Sequence, residues 1–426
     1  MLPSSSGRKY SLPFHKGIQL VSFFEFREGL SVSLRALRAN KMRSVLTMLG
    51  IVIGIIAVTI MATAIEGVTR AFDKSASAFG SKVLYVQKFP WVGGDDWWKY
   101  RNRKDIMPEY AELVSRQATL LDAIAPDISS SKDARSGSRS MLNAFVTGTT
   151  SAYQEASGTT IAEGRFFSQQ ESDGGRPVCC IGANVAETLF PGSDPIGQTI
   201  KVGGFPYTVL AQFEKQGGMF GQFTSDNRIY IPIRSFLMQF GTHHEVTLNV
   251  RVAKEADVEN AKEELRGIMR KVRHLNPIQE DDFNINEQEQ LTKAFGAITA
   301  VIAGVGFFIT GLSLFVGGIG IMNIMYVSVT ERTREIGVRK AIGAPRATIL
   351  FQFLAEAAMI CLIGGMIGLI ISYVLSLIVN QIIPTAMPVY VVFVALLVSL
   401  VTGVVSGFLP AYKAAKMDPV DALRYE

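Results

Sequence analysis

The sequence has 426 residues, 48% of them hydrophobic, with a mean hydropathy of +0.25 and a net charge of +5 at pH 7. An apolar chain with long uncharged runs is not an ordinary soluble protein and points to an integral membrane protein. Residues 1–44 carry eight Lys/Arg against two acids, whereas 66–293 carry 26 against 29. No basic face therefore invites nucleic acid, and the basic excess lies in short segments, where orientation signals belong.

Residues 1–17 contain Ser and Pro and are expected to be disordered. From about Val21, the residues Phe23, Phe26, Leu30, Leu34 and Leu37 follow helical spacing, with Arg27, Arg35 and Arg38 between them. That pattern predicts an amphipathic helix lying in the membrane surface or packed on the ends of other spans. The polar, basic first 43 residues do not read as a cleavable signal, so the first apolar run is expected to be an uncleaved anchor. That run, 44–65, has 22 residues without a charge and suffices for one crossing.

Residues 66–293 form a 228-residue polar region that should lie outside the cytoplasm, and its size predicts two lobes. The outer pieces, 66–162 and 245–293, alternate strands and helices. Residues 82–89 and 246–252 read as strands, and Val258, Ala261, Leu265, Ile268 and Val272 as an amphipathic helix. The middle, 163–244, reads as short strands: PVCCIG, the hairpin TIKV-GGFP-YTVLAQF, and RIYIPI. Cys179 and Cys180 should face opposite sides of their strand as buried thiols. Two loops, 89–100 with Trp91, Trp97 and Trp98, and 215–223, could contact a partner or a substrate, although a self-packed aromatic loop is the default for the first.

Residues 294–330 are uncharged, and as a helix they would be about 55 Å long at ~1.5 Å per residue, more than one crossing needs. The surplus should project outward as a stalk. Residues 347–380 and 388–412 give two more spans, separated by Pro384 and Pro388, for four crossings with both termini inside. Glycines at 304, 306, 311, Gly317, Gly318 and Gly320 in the second span, and Gly364, Gly365 and Gly368 in the third, permit close helix contacts. Glu356 should be an interfacial anchor paired with Arg332, Arg334 or Arg346.

Between the second and third spans, residues 331–346 hold seven charges, five of them basic. The basic excess predicts a short cytoplasmic loop. Glu335 and Arg339 at i, i+4 favour a helix. Gly337, Ala341 and Ala344 form a small-residue face, Gly343 stops the turn, and Pro345 suits the start of the next helix.

The wording VSVTERTREIGVRKAIGA in this loop, followed by FLAEA and GGMIG, resembles the permeases of the MacB/FtsX family of ABC transporters. NKMRSVLTMLGIVIGIIAV, GRFFS, LFPGSDPIGQTIKVGG and LPAYKAAKMDPVDALRYE resemble the same family, so the likeness runs from about residue 30 to 426. It implies four transmembrane helices plus a large α+β extracytoplasmic domain, with a discontinuous porter-like lobe carrying an inserted β-rich lobe. It further implies a homodimer, with the first and second spans at its interface, and the charged loop as a coupling helix. Glu331, Arg332, Arg334, Glu335, Gly337, Arg339, Lys340 and Gly343 would then meet a separate ABC ATPase.

No G-x-x-x-x-G-K-[ST] occurs in the sequence, so ATP and Mg2+ are expected on the partner and no cofactor, metal or catalytic residue on this chain. No Ser/His/Asp or Cys/His arrangement stands out. The implied activity is mechanotransmission driving efflux of small amphiphiles, peptides or antibiotics, a form of antibiotic resistance, with a periplasmic adaptor and an outer-membrane channel as further partners. Two family alternatives are a lipoprotein-releasing permease and an FtsX-like regulator of cell-wall hydrolases. A membrane-anchored external enzyme would need a catalytic cluster in 66–293, and none is found.

Overall fold

The structure is a computed structural model that describes residues 41–77, 79–93, 97–217, 225–242, 244–381, 385 and 387–424. The expected surface helix at Val21–Leu37, the Pro384 turn, and most of the 215–223 loop lie outside the described residues. The chain divides into two compact units, Met1–Ala64 with Ala303–Glu426, and Ile65–Ile302.

The first unit contains four helices long and apolar enough to cross a membrane. Their helical bounds are Lys41–Ser77, Gln288–Glu331, Arg346–Val379 and Val389–Lys416, the first two running on into the other unit. Two are longer than the uncharged runs suggested. The second has 44 residues, about 66 Å at ~1.5 Å each, because polar residues 288–293 extend it at its N-terminal end. The helices meet where small residues let backbones approach. A Cβ on Gly317 would lie 3.1 Å from the Gly50 backbone, one on Gly365 2.7 Å from Ser399 Oγ, and one on Gly368 3.0 Å from Ile55. A core of Ile51, Ile321, Phe353, Ile360 and Ala395 fills the centre.

The second unit is built on one ten-stranded sheet. Its strands are β1 (Val83–Gln87), β2 (Leu121–Ser136), β3 (Arg139–Thr149), β4 (Ile161–Gly164), β5 (Val178–Ile181), β6 (Thr199–Val202), β7 (Phe205–Phe213), β8 (Arg228–Pro232), β9 (Val246–Val252) and β10 (Asn284–Glu287). The order is β10-β1-β9-β2-β3-β8-β5-β7-β4, with β6 beside β2 and β7. The strands of the outer pieces gather at one end and those of the middle piece at the other. The outer and middle pieces thus share a single hydrogen-bonded sheet, joined where β3 runs parallel to β8 and β2 meets β6.

The long hairpin β2–β3 is the element the sequence did not disclose. Its 16- and 11-residue strands carry Ser, Lys, Asp and Arg instead of an alternating apolar run. Only tertiary pairing on both sides holds them extended. The 258–272 helix buries Ala261, Leu265 and Met269 on the core face of the sheet. Cys179 and Cys180 are free, buried, and belong to apolar clusters on opposite faces. In the tryptophan loop, Trp91 folds back against Tyr85, with ring centroids 4.8 Å apart, while Trp98 is exposed.

Candidate docking site

The charged loop folds as a helix, Thr333–Ala341. Glu335 accepts a hydrogen bond from Arg339 one turn on, the i, i+4 pair expected of a helix. Gly343 ends it in a left-handed conformation (φ +101°), where a side chain would be strained, and its amide donates to the Lys340 carbonyl at 3.0 Å.

What fixes this helix is the chain's own tail. Asp418 caps a short helix, Pro419–Leu423, its carboxylate accepting from the Val420 amide at 2.9 Å, with Pro419 preset in the first turn. Ala422 of that helix is buried against Gly337, where a Cβ would lie 2.7 Å from the Ala422 methyl. Gly337 therefore admits the tail; the small-residue face predicted for a partner is used within the chain at this position. Lys340 also turns toward the tail, donating to the Met417 carbonyl. Burial, then the neighbouring Arg346, lowers its pKa, while Asp418 opposes the shift.

The remaining charges divide between two directions. Arg332 reaches inward and pairs with Glu356 at 3.3 Å, the anchor expected for that carboxylate. Glu331, Arg334, Glu335 and Arg339 are exposed, with Arg339 also donating to Gln352 Oε1 at 2.8 Å. Two residues passed over in the sequence complete the outward surface: Val338 is exposed and Ile342 is 82% exposed. With Arg334 they stand at i, i+4 and i+8, one stripe of a helix. An apolar pair flanked by charges can anchor a protein contact, because its burial contributes while the surrounding charges select the partner. The signal for it was present, since Val338 and Ile342 are the only large aliphatics besides Ile336 between Thr330 and Thr348.

The helix-contact glycines separate likewise. Gly317, Gly318, Gly364, Gly365 and Gly368 each abut another helix of the same chain, and Gly320 is half-buried. Gly306 abuts Met61. Gly304 and Gly311 face open space among the described residues. GRFFS takes part in one bidentate pair in the second unit. Arg165 donates to both oxygens of Glu171 at 2.8 Å, and Glu171 also accepts from the Ser168 amide at 2.8 Å, closing a capping box. Among the described residues, no three His, Cys, Asp or Glu side chains converge on a metal position.

Residues 44–268 match the MacB-like periplasmic core domain, and 307–419 match the FtsX-like permease C-terminal region. The macrolide export ATP-binding/permease protein MacB of Bdellovibrio bacteriovorus is 34% identical over 94% of this chain, which spans 62% of that protein. The uncharacterized ABC transporter permease YknZ of Bacillus subtilis is 32% identical over 94% of this chain and 99% of its own length. A crystal structure of the periplasmic region of MacB from Actinobacillus actinomycetemcomitans aligns with a TM-score of 0.43 at 17% identity, covering 51% of this chain and 94% of that one. The matches to both domain types and to a relative of the same length place the chain in one lineage: it belongs to the MacB/FtsX family of ABC transporter permeases.

Proposed function

We propose that this chain is the membrane subunit of a MacB-type efflux transporter, a homodimer worked by a separate ABC ATPase that binds its ATP and Mg2+. The observation that carries the reading is the loop helix, clamped by the tail and presenting Arg334, Val338 and Ile342 outward. ATP-driven closure of two ATPase copies would move two such helices together. The long second helix would carry the motion to a soluble domain outside the cytoplasm, acting on amphiphiles, peptides or antibiotics already there. Paired helices support a stiff path: Gly54 abuts Leu314 in the membrane unit, and Phe72 stacks on Phe295 in the soluble unit with centroids 4.0 Å apart. Open Gly304 and Gly311 on the least covered helix support contact with a second copy. Both termini would be cytoplasmic by the basic excess of the short segments. A periplasmic adaptor and an outer-membrane channel would complete the route.

The test uses Ile342→Asp, which alters an exposed side chain and leaves the tail clamp alone. The variant chain is expected to fold and form its dimer but to lose copurification with the ATPase and stimulation of its hydrolysis. Normal copurification of this variant would mean that the stripe is not the docking surface.

A further inference from the structure

The central strands of the soluble unit have two unlike faces. Leu84 and Val86 of β1, Ile128 of β2, Ile229 and Ile231 of β8, and Leu248 and Val250 of β9 point into the main core. The alternate residues point the other way, since side chains on a strand reverse face at each step. Those alternates are polar or aromatic: Tyr85 and Gln87, Asp127 and Ser129, Thr247 and Asn249, Arg228 and Tyr230. They floor a cavity of about 730 Å3, whose walls include Phe72, Phe79, Trp91 and Tyr153. That volume is in the range of sites for drug-sized ligands, and the mixture of flat apolar walls with a few polar groups is typical of them.

Most of the polar floor is already satisfied. Gln87 donates to Thr247 at 2.8 Å and accepts from the Trp91 indole at 2.6 Å. Asn249 donates to Asp127 at 3.0 Å, Ser129 bonds Thr147 at 3.0 Å, and Tyr230 donates to Ser225 at 3.1 Å. Arg228 differs. Its guanidinium is partly buried, feels Tyr230, Tyr153 and Asp127 electrostatically, and forms no hydrogen bond or ion pair with any described residue. On the floor of the cavity and with no acceptor among the described residues, its N–H donors are open to a ligand, and the planar fork fits a carboxylate bidentately.

We infer that this cavity binds an anionic amphiphile, with its carboxylate or equivalent acidic group on Arg228 and its apolar body against Phe72, Phe79 and Trp91. A cationic ligand fits less well. The two acids lining the cavity, Asp127 and Glu245, both have their pKa raised, first by burial, which disfavours their charged forms. Asp127 is in addition engaged by Asn249. As the substrate class of the transporter, this assignment rests on the proposed efflux function; as a binding site, it does not.

The test measures binding to the full purified chain without any ATPase. Trp97→Phe and Trp98→Phe leave Trp91 as the sole tryptophan of the three, so its emission reports on the cavity wall. The probes are 2-naphthoate, 2-naphthylmethylamine and 2-naphthalenemethanol. Naphthoate should bind at least tenfold more tightly than the amine. Arg228→Gln should weaken naphthoate at least tenfold while changing the alcohol less than about twofold. Tighter amine binding, no naphthoate binding, or an Arg228→Gln chain that holds naphthoate as before would overturn the assignment. Should Arg228→Gln lose the alcohol as well, Arg228→Lys decides: recovered naphthoate binding upholds the site, and failure to recover it refutes the site. Normal ATPase copurification by Ile342→Asp alongside intact naphthoate binding would sink the proposed docking and efflux reading and leave the cavity standing.

Discussion

Replacing Gly337 with Ala asks what the glycine of the loop helix is for. The added methyl would sit 2.7 Å from the Ala422 Cβ, with the Ala422 carbonyl carbon and Leu423 amide at 3.4 and 3.5 Å. A carbon that close to another must push it away, and the obstacle is a helix in place of a pliant side chain. Overpacking of this kind costs about 1–3 kcal/mol. Against it stands the better helix propensity of Ala, worth about 1 kcal/mol. The net should be a loss of up to about 2 kcal/mol in tail docking, up to roughly a thirtyfold rise in the undocked fraction. Ala422→Gly removes the opposing methyl at a similar cost of its own. In the double variant the two should be far from additive, with Gly337→Ala/Ala422→Gly close to the single Ala422→Gly. The assay is the rate of tryptic cleavage after Lys416, together with thermal unfolding in detergent. Should Gly337→Ala leave cleavage unchanged, or the pair prove additive, Gly337 would not be there to admit the tail.

Proline at Ile298, an exposed position in the outer part of the second helix, should cost about 3 kcal/mol locally and kink the helix; the complex should still assemble and hydrolyse ATP but fail in export, and export at the parental rate would show that this helix does not transmit the motion. Glu171, held at a pKa of about 2 by Arg165 against an ordinary 4.5, should stabilise the soluble domain fully above pH 4.5 and lose that contribution as the pH falls through about 2. Glu171→Gln should therefore lower the melting temperature at pH 7 and flatten its acid dependence between those values, and parallel melting curves for the two chains would contradict this.

The sequence alone disclosed the membrane helices because charge is what a bilayer excludes: Arg43, Glu66, Lys293, Glu331, Glu356 and Lys413 bracket the apolar runs whatever the rest of the chain does. It disclosed the loop helix as well, because Glu335/Arg339, Gly343 and Pro345 act within one or two turns. Strands with a clear period, such as β9 and the β6–β7 hairpin, were equally legible. The β2–β3 hairpin was not, since its extended state depends on partners distant in sequence.

The docking surface shows the same division at the level of single residues. The eight loop positions carry one uniform sequence signal, a charged helix with small residues. Only packing decides that Gly337 and Lys340 serve the tail and Arg332 serves Glu356, while Arg334, Val338 and Ile342 remain outside. The cavity around Arg228 is more remote still from the sequence. Its floor comes from four strands between residues 83 and 252, and no stretch of the chain contains the pattern. Alternation along each strand determines that polar residues share a face, because the backbone reverses side chains at every step. Which strands lie side by side, and hence which polar residues meet, is settled by long-range pairing that no local spacing encodes.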